Sequence, residues 1–483
     1  MQRRLVVSCT ALVVLLSACG TRKSTEEIVA AAGSGGSGGS GSQTAAGGGV
    51  GGSGGPLPGG GNAAQNKFGT LDIPCGPGGG EGNTASDQGV TPTEIKVTTI
   101  SDPGGLKPGL NQGIFDSMEA FYKWCNGLGG INGRKLAYSL RDGEILKYKE
   151  AVDAACAEDF ALVGGMGVLD NLGAQAQVDC GIVNVVGLAV NPEQTLADLT
   201  YQSLPNIPTR YNVGPAEWVK NAFPDKVGKA AAIYTNLSVT KMQSERLVEG
   251  YTKSGFTFVV EVASNLSEEN WGPIVSQMKA EGVTFMTLTS SFEEIVPLAK
   301  AMKAQSFAPI VELETNFYND KFPLAALGAA EGFYVRALTW PVEERSKNAA
   351  TDQFLNIMDQ YKPGGVKEFL GAQAFSSGLL FATAVKRLGA NVTRDGLEAE
   401  IKKITQWDGG GLQSPANPGG KTASACFIIM KVQGEGFVRE YPLPDKDKAI
   451  YDNPVAKGMA CPENGFEGIT KRDYEAMGAK RSK

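Results

Sequence analysis

Between Phe160 and Thr195 the sequence reads FALVGGMGVLDNLGAQAQVDCGIVNVVGLAVNPEQT, and this stretch limits the fold more than any other. An apolar run, Phe160 to Val163, stops at Gly164-Gly165-Met166-Gly167. A helical pattern follows from about Asp170 to Val178 and closes at Cys180-Gly181. A second apolar run rich in β-branched residues, Ile182 to Val190, ends at Asn191-Pro192. Strand, glycine turn, helix and strand in that order form the unit of a parallel sheet. Ligands of such sheets sit beyond the carboxyl ends of the strands, which points to the turns Gly165–Asp170 and Leu188–Asn191. Asp170 itself is expected to cap the helix it precedes.

The same alternation extends both ways. Strand Glu94–Ser101 leads through Asp102-Pro103-Gly104-Gly105 to a helix from about Asn111, whose Ile114, Met118, Phe121 and Cys125 form one apolar stripe. Strand Lys135–Arg141 and helix Lys147–Asp159 come next. After Leu204-Pro205-Asn206-Ile207-Pro208 the pattern restarts with helix Arg210–Phe223. Strands Lys229–Thr235, Phe256–Ala263, Thr284–Thr289 and Pro309–Leu313 then alternate with helices Thr240–Ser254, Trp271–Ala280 and Glu293–Ala304. Strand Glu331–Trp340, helical stretches Glu343–Tyr361 and Val366–Leu388, and a helix opened by a capping box at Asp395–Glu398 follow. A hairpin, Phe427–Val432 with Phe437–Tyr441, ends the patterned region, and beyond Pro442 little order is expected. The fold class is α/β, two doubly wound Rossmann-like lobes.

The ends set the compartment. Arg3 and Arg4 precede an apolar run, Leu5 to Leu16, too short to span a bilayer, and Leu16-Ser17-Ala18-Cys19 resembles a bacterial lipobox. Residues 1–19 read as a lipoprotein signal peptide with Cys19 lipidated. Residues 20–89 read as a Gly/Ser-rich tether, with little to bury up to about Gly80. The Gly-x-Ser-x-Gly matches in it lack the strand that a nucleophile elbow needs. The expected location is the cell membrane, lipid-anchored on the extracytoplasmic face.

Several function classes fall away. A net charge of −6 with no basic block argues against nucleic acid. With no histidine, Ser-His and Cys-His catalysis and His-based metal sites are excluded. Gly165-x-Gly167-x-x-Asp170 copies part of a dinucleotide fingerprint but lacks its third glycine, and Ile182–Val190 does not end in an acid. No enzyme activity, cofactor or metal is expected. Cys75, Cys125, Cys156, Cys180, Cys426 and Cys461 remain after the leader. An even set in an exported chain implies disulfides, with fifteen possible pairings. Cys156–Cys180 is favoured because each cysteine ends a helix flanking Phe160–Val163. Cys75–Cys125 and Cys426–Cys461 complete the expected set.

Three features carry a family resemblance: Asn126–Arg134 (NGLGGINGR), Leu188–Thr195 (LAVNPEQT) and the placing of Cys156 with Cys180. From Glu94 to about Cys461 the chain resembles the branched-chain amino-acid-binding type of periplasmic binding protein, the type I fold. The resemblance implies crossing strands, with residues 90–208 and 335–405 in one lobe, 209–334 and 406–462 in the other, and 463–483 a polar tail. It implies a solute held between the lobes and delivered to ABC permease subunits by a monomeric receptor. A sensing module of the same fold, signalling to a membrane partner, is the alternative. For the ligand site it implies the turns at Asp102, at Gly167-Val168 and at Leu188-Ala189-Val190, with Asn236, Ser291, Phe292 and Glu314 from the second lobe. Val190 stands where the family has a threonine hydroxyl, so only backbone groups are left there for a ligand carboxylate. Glu314 matches the acid that takes a ligand ammonium. The solute therefore need not be a standard amino acid.

Overall fold

A computed structural model describes residues 66–482. The leader, Cys19 and the Gly/Ser-rich stretch to residue 65 lie outside the described residues.

The folded body begins within the expected tether. β1 (Lys67–Phe68) and β2 (Leu71–Asp72) form a small antiparallel hairpin. Phe68 is 1% exposed, with Trp124 and Phe375 rings 6.1 and 5.5 Å away. A disulfide joins Cys75 to Cys125. Residues 66–89 are thus fastened to the body rather than free, because a few large side chains among the glycines suffice to bury them.

β3 (Glu94–Ser101), β4 (Lys135–Asp142), β5 (Ala161–Val163), β6 (Val183–Val186) and β7 (Thr200–Gln202) form an all-parallel sheet in the order β4-β3-β5-β6-β7. β3, β5, β6 and β7 are largely buried because helices cover both faces, while β4 at the edge is only half-buried. Ile114, Met118, Phe121 and Cys125 of helix Gln112–Gly127 are at most 1% exposed, as their stripe predicts. The glycine turn after β5 is tight for a steric reason. A Cβ on Gly165 would stand 2.5 Å from the Ile100 carbonyl oxygen. Cys156 and Cys180 are bonded beside β5, and Cys426 is bonded to Cys461.

β8 (Arg210–Asn212) occupies residues expected to start a helix; the helix begins at Gly214. β9 (Ala230–Thr235), β10 (Phe258–Ser264), β11 (Phe285–Thr289), β12 (Ile310–Leu313), β13 (Tyr334–Ala337), β14 (Ile428–Gln433) and β15 (Gly436–Tyr441) make the second sheet, ordered β10-β9-β11-β12-β13-β14-β15. Its first five strands are parallel, and the hairpin β14–β15 adds an antiparallel edge.

Between β13 and β14 the chain returns to the first sheet. Helix Phe369–Leu388 lies on helix Gln112–Gly127 so closely that a Cβ on Gly371 would meet Ser117 Oγ at 2.4 Å. Ser377 Oγ donates to the Val186 carbonyl at 2.9 Å. Helix Arg394–Lys402 is capped by Thr393, whose hydroxyl accepts from Gly396 N at 3.1 Å, not by a box at Asp395–Glu398.

The C-terminal residues are also ordered. β16 (Phe466–Gly468) pairs antiparallel with β8. Thr470 and Lys471 donate backbone N–H groups to Glu249, and Arg472 pairs with Glu245, both acids on helix Ser238–Lys253 of the second-sheet half. Ala479 N donates to the Glu193 carbonyl, and Arg481 pairs with Glu398, both on the first-sheet half. Ile469 and Tyr474 are buried. The polar composition that suggested disorder belongs to a strap fastened by charged side chains to both halves.

Candidate functional site

Each parallel run has its first strand in the middle, so each sheet has a switch point, between β3 and β5 and between β9 and β11. The loops leaving the carboxyl ends of these strands diverge there and leave room for a ligand. The two switch points open on one cleft that encloses about 260 Å³. Val168, Leu188 and Val190 line it from the first half, and Thr235, Ser290 and Ser291 from the second. Most of the wall is apolar, with Leu110, Met166, Leu237, Leu338, Phe369 and Leu370 among the contributors.

Of the residues expected at the site, Val168, Leu188, Val190, Ser291 and Glu314 reach the cleft. Asp102 does not. It is fully buried and accepts from Val168 N at 2.6 Å and Ile145 N at 2.9 Å, so it braces a turn. Burial pushes its carboxyl up. Gly167 sits under the Tyr148 ring, 2.2 Å from where a Cβ would be, and Ala189 is buried. Asn236 is exposed and outside the lining. Phe292 lines an adjoining cavity of about 150 Å³ with Glu293 and Glu368.

The first-half turn is not free to receive a carboxylate through its backbone. Val190 N and Asn191 N donate to Asp170, at 2.7 and 3.1 Å, and Ala189 N donates to Gln202 Oε1 at 2.9 Å. Asp170 makes no cap to the helix it precedes, because its carboxylate holds this turn instead. Burial pushes its pKa up to about 7.

The charges lie on the second half. Glu314 lines the cleft, but its carboxylate accepts from Arg336 and from the Tyr211 hydroxyl. A guanidinium of this chain therefore stands where the resemblance places a ligand ammonium. Arg246, 3% exposed, also lies against the Tyr211 ring; the two guanidinium carbons are 5.9 Å (Arg246) and 5.4 Å (Arg336) from its centroid. Contacts that cross the cleft include Lys107 Nζ to Glu294 Oε1 at 2.7 Å and to Ser291 Oγ at 2.8 Å, and Gln243 Nε2 to the Val190 carbonyl at 2.9 Å.

Behind Glu314, Glu312 is fully buried and accepts from the Tyr251 hydroxyl at 2.7 Å. Burial, with the Glu314 charge second, raises its pKa from 4.5 to about 8. The folded state thus holds a proton that the unfolded state releases above about pH 4.5. Stability from this group is full below that value and is lost as pH rises toward 8. Glu312→Gln, which copies the protonated acid, should flatten that fall. Urea unfolding at pH 5 and pH 8 checks this, and equal pH dependence in variant and parent would refute it.

Sequence reasoning missed Lys107, Tyr211, Gln243, Arg246 and Arg336. Signals existed for three of them. Arg336 interrupts an apolar strand, and Val239, Gln243 and Arg246 recur at i, i+4 and i+7 after the β9 turn.

A family model described as periplasmic binding protein matches residues 94–436. No curated protein sequence matches the chain. In fold the chain is similar to a leucine binding protein from Thermotoga maritima (TM-score 0.61, 15% identity, 72% of this chain and 97% of that one). It is similar also to a fatty acid ABC transporter substrate-binding protein from Thermomonospora curvata (0.62, 17%, 77% and 97%). A third is an ABC transporter solute binding protein from R. palustris in complex with benzoate (0.62, 14%, 79% and 99%).

Proposed function

The chain belongs to the periplasmic binding protein family, and on that premise we propose that it is the extracytoplasmic, lipid-anchored solute receptor of an ABC-type importer. The observation that carries this reading is the cleft, largely apolar, placed at the switch points of two doubly wound sheets. The solute is a small molecule with a mostly apolar body, and it is bound, not turned over. Lys107–Glu294 and Gln243–Val190 join the halves across the cleft, so a solute that touches both walls favours the closed form through its differential affinity. The partners are the permease subunits that accept the closed, loaded monomer. Mass spectrometry of solute released from the purified full chain tests the reading. One compound should be recovered and should raise the melting temperature when added back. Recovering none, with no melting shift across a broad solute library, would count against it.

Anchoring rests on Leu16–Cys19. Among the described residues no helix is long and apolar enough to cross a membrane. Cys19→Ala is expected to move the protein from the membrane fraction to the soluble one. A variant as firmly membrane-bound as its parent sinks the anchor.

A further inference from the structure

Arg246 is the buried charge that the fold leaves unanswered. Its Nη1 donates to Gln243 Oε1 at 2.6 Å, and its Nη2 to the carbonyls of Ile207 and Arg210 at 2.5 and 3.0 Å and, at 3.5 Å, to Asn206 Oδ1. Nε has no partner. Among the described residues no carboxylate oxygen comes within 4.0 Å of it. Buried charges in proteins are as a rule paired, since desolvating one alone costs several kcal/mol.

Arg134 shows what a purely structural arginine looks like in this chain. It too is buried without an acid, but Nε, Nη1 and Nη2 all donate to carbonyls, of Thr91, Gly389, Thr84 and Ala390, and it lines neither the cleft nor the adjoining cavity. Arg246 differs on both counts: its Nε is orphaned and it lines the cleft. The other charges around the cleft cancel, Arg336 with Glu314 and Lys107 with Glu294, while Arg210 is exposed to water. One buried positive charge remains beside an apolar cavity. The first-half turn meanwhile has spent its N–H groups on Asp170 and Gln202.

We propose that Arg246 seats the anionic group, a carboxylate, of a solute whose remaining body is apolar. This rests on the reading of the cleft as the solute site and adds the ligand's charge to it. Gln243, which touches both Arg246 and the Val190 carbonyl, links capture of the anion to contact between the halves.

The test is calorimetry on the full chain with three monocarboxylates, octanoate, benzoate and 4-methylpentanoate, each beside its primary amide. The amide keeps size and shape and removes the charge. At least one acid should bind roughly thirty-fold or more tightly than its amide, the low end for breaking a buried charged pair. Arg246→Gln should erase that preference, and Arg246→Lys should keep part of it. If Arg246→Gln fails to fold, the acid-to-amide ratio in the parent and in Arg246→Lys decides. Acid and amide binding alike, a preference that survives Arg246→Gln, or no binding by any of the six compounds overturns the assignment. A neutral or cationic solute released from the purified chain also overturns it, and leaves the solute-receptor reading intact.

Discussion

Glu314→Ala is expected to lower the unfolding free energy by about 3–5 kcal/mol, because it strands Arg336 in the cleft wall without its counter-charge. The side chains of the pair are only 18% and 11% exposed, so water cannot replace the lost carboxylate. The Tyr211 hydroxyl loses its acceptor as well. Replacing both partners, as in Glu314→Ala with Arg336→Met, should recover much of the loss, since the stranded charge goes with its partner. Urea unfolding of parent, single and double variants in solute-free buffer measures this. A carboxylate that served only a ligand ammonium would leave the solute-free stability untouched, so an unchanged single variant would restore that role to Glu314.

Removing the Cys75–Cys125 disulfide should cost about 4 kcal/mol in the chain-entropy account, given its sequence separation of 50. It closes the longest loop of the three disulfides, and it holds a segment otherwise fastened by packing and by hydrogen bonds such as Gly76 N to the Gly130 carbonyl and Arg394 N to Asp87. Phe68 would then be held by packing on Trp124 and Phe375 and by the neighbouring bonds from Gly69 N to Gln353 Oε1 and from Thr70 N to the Gly410 carbonyl. The double variant Cys75→Ser with Cys125→Ser is expected to melt below the parent and to be clipped by protease within residues 66–89. The same pair of changes at Cys156 and Cys180, with a separation of 24, should cost less, about 3 kcal/mol. Equal melting of parent and Cys75/Cys125 variant would show that packing and hydrogen bonds fasten the segment without the disulfide.

Much of the fold was legible because its signals are local. Glu94–Ser101 alternates with flanking helices whose stripes repeat every three or four residues, and such periods need no knowledge of distant contacts. The site was legible at the turns holding Val168, Leu188 and Val190, where topology alone decides, and the resemblance added Ser291 and Glu314. The partners of Glu314 were not legible, and the reason is register. Glu312 pairs with Tyr334 and Leu313 with Val335, which carries Glu314 alongside Arg336 on the neighbouring strand. No periodicity in either segment encodes that alignment. The tail misled for a related reason. Its Phe466 and Tyr474 are isolated in a polar window, yet Phe466 lines the cleft and Tyr474 is buried, because partners hundreds of residues away supply the contacts.

The strap also bears on how the clamshell opens. The three chain crossings between the halves are covalent and can only bend, whereas residues 466–481 bridge the same halves by contacts that can come undone. Arg472–Glu245 and Arg481–Glu398 have arginines 41% and 46% exposed, and such pairs are worth well under 1 kcal/mol apiece and weaken with salt. A fastening of this sort behaves as a row of hooks rather than a bolt. Its ion pairs are expected to ease as the surrounding ionic strength rises, while the β16–β8 pairing and the buried Ile469 and Tyr474 keep their hold.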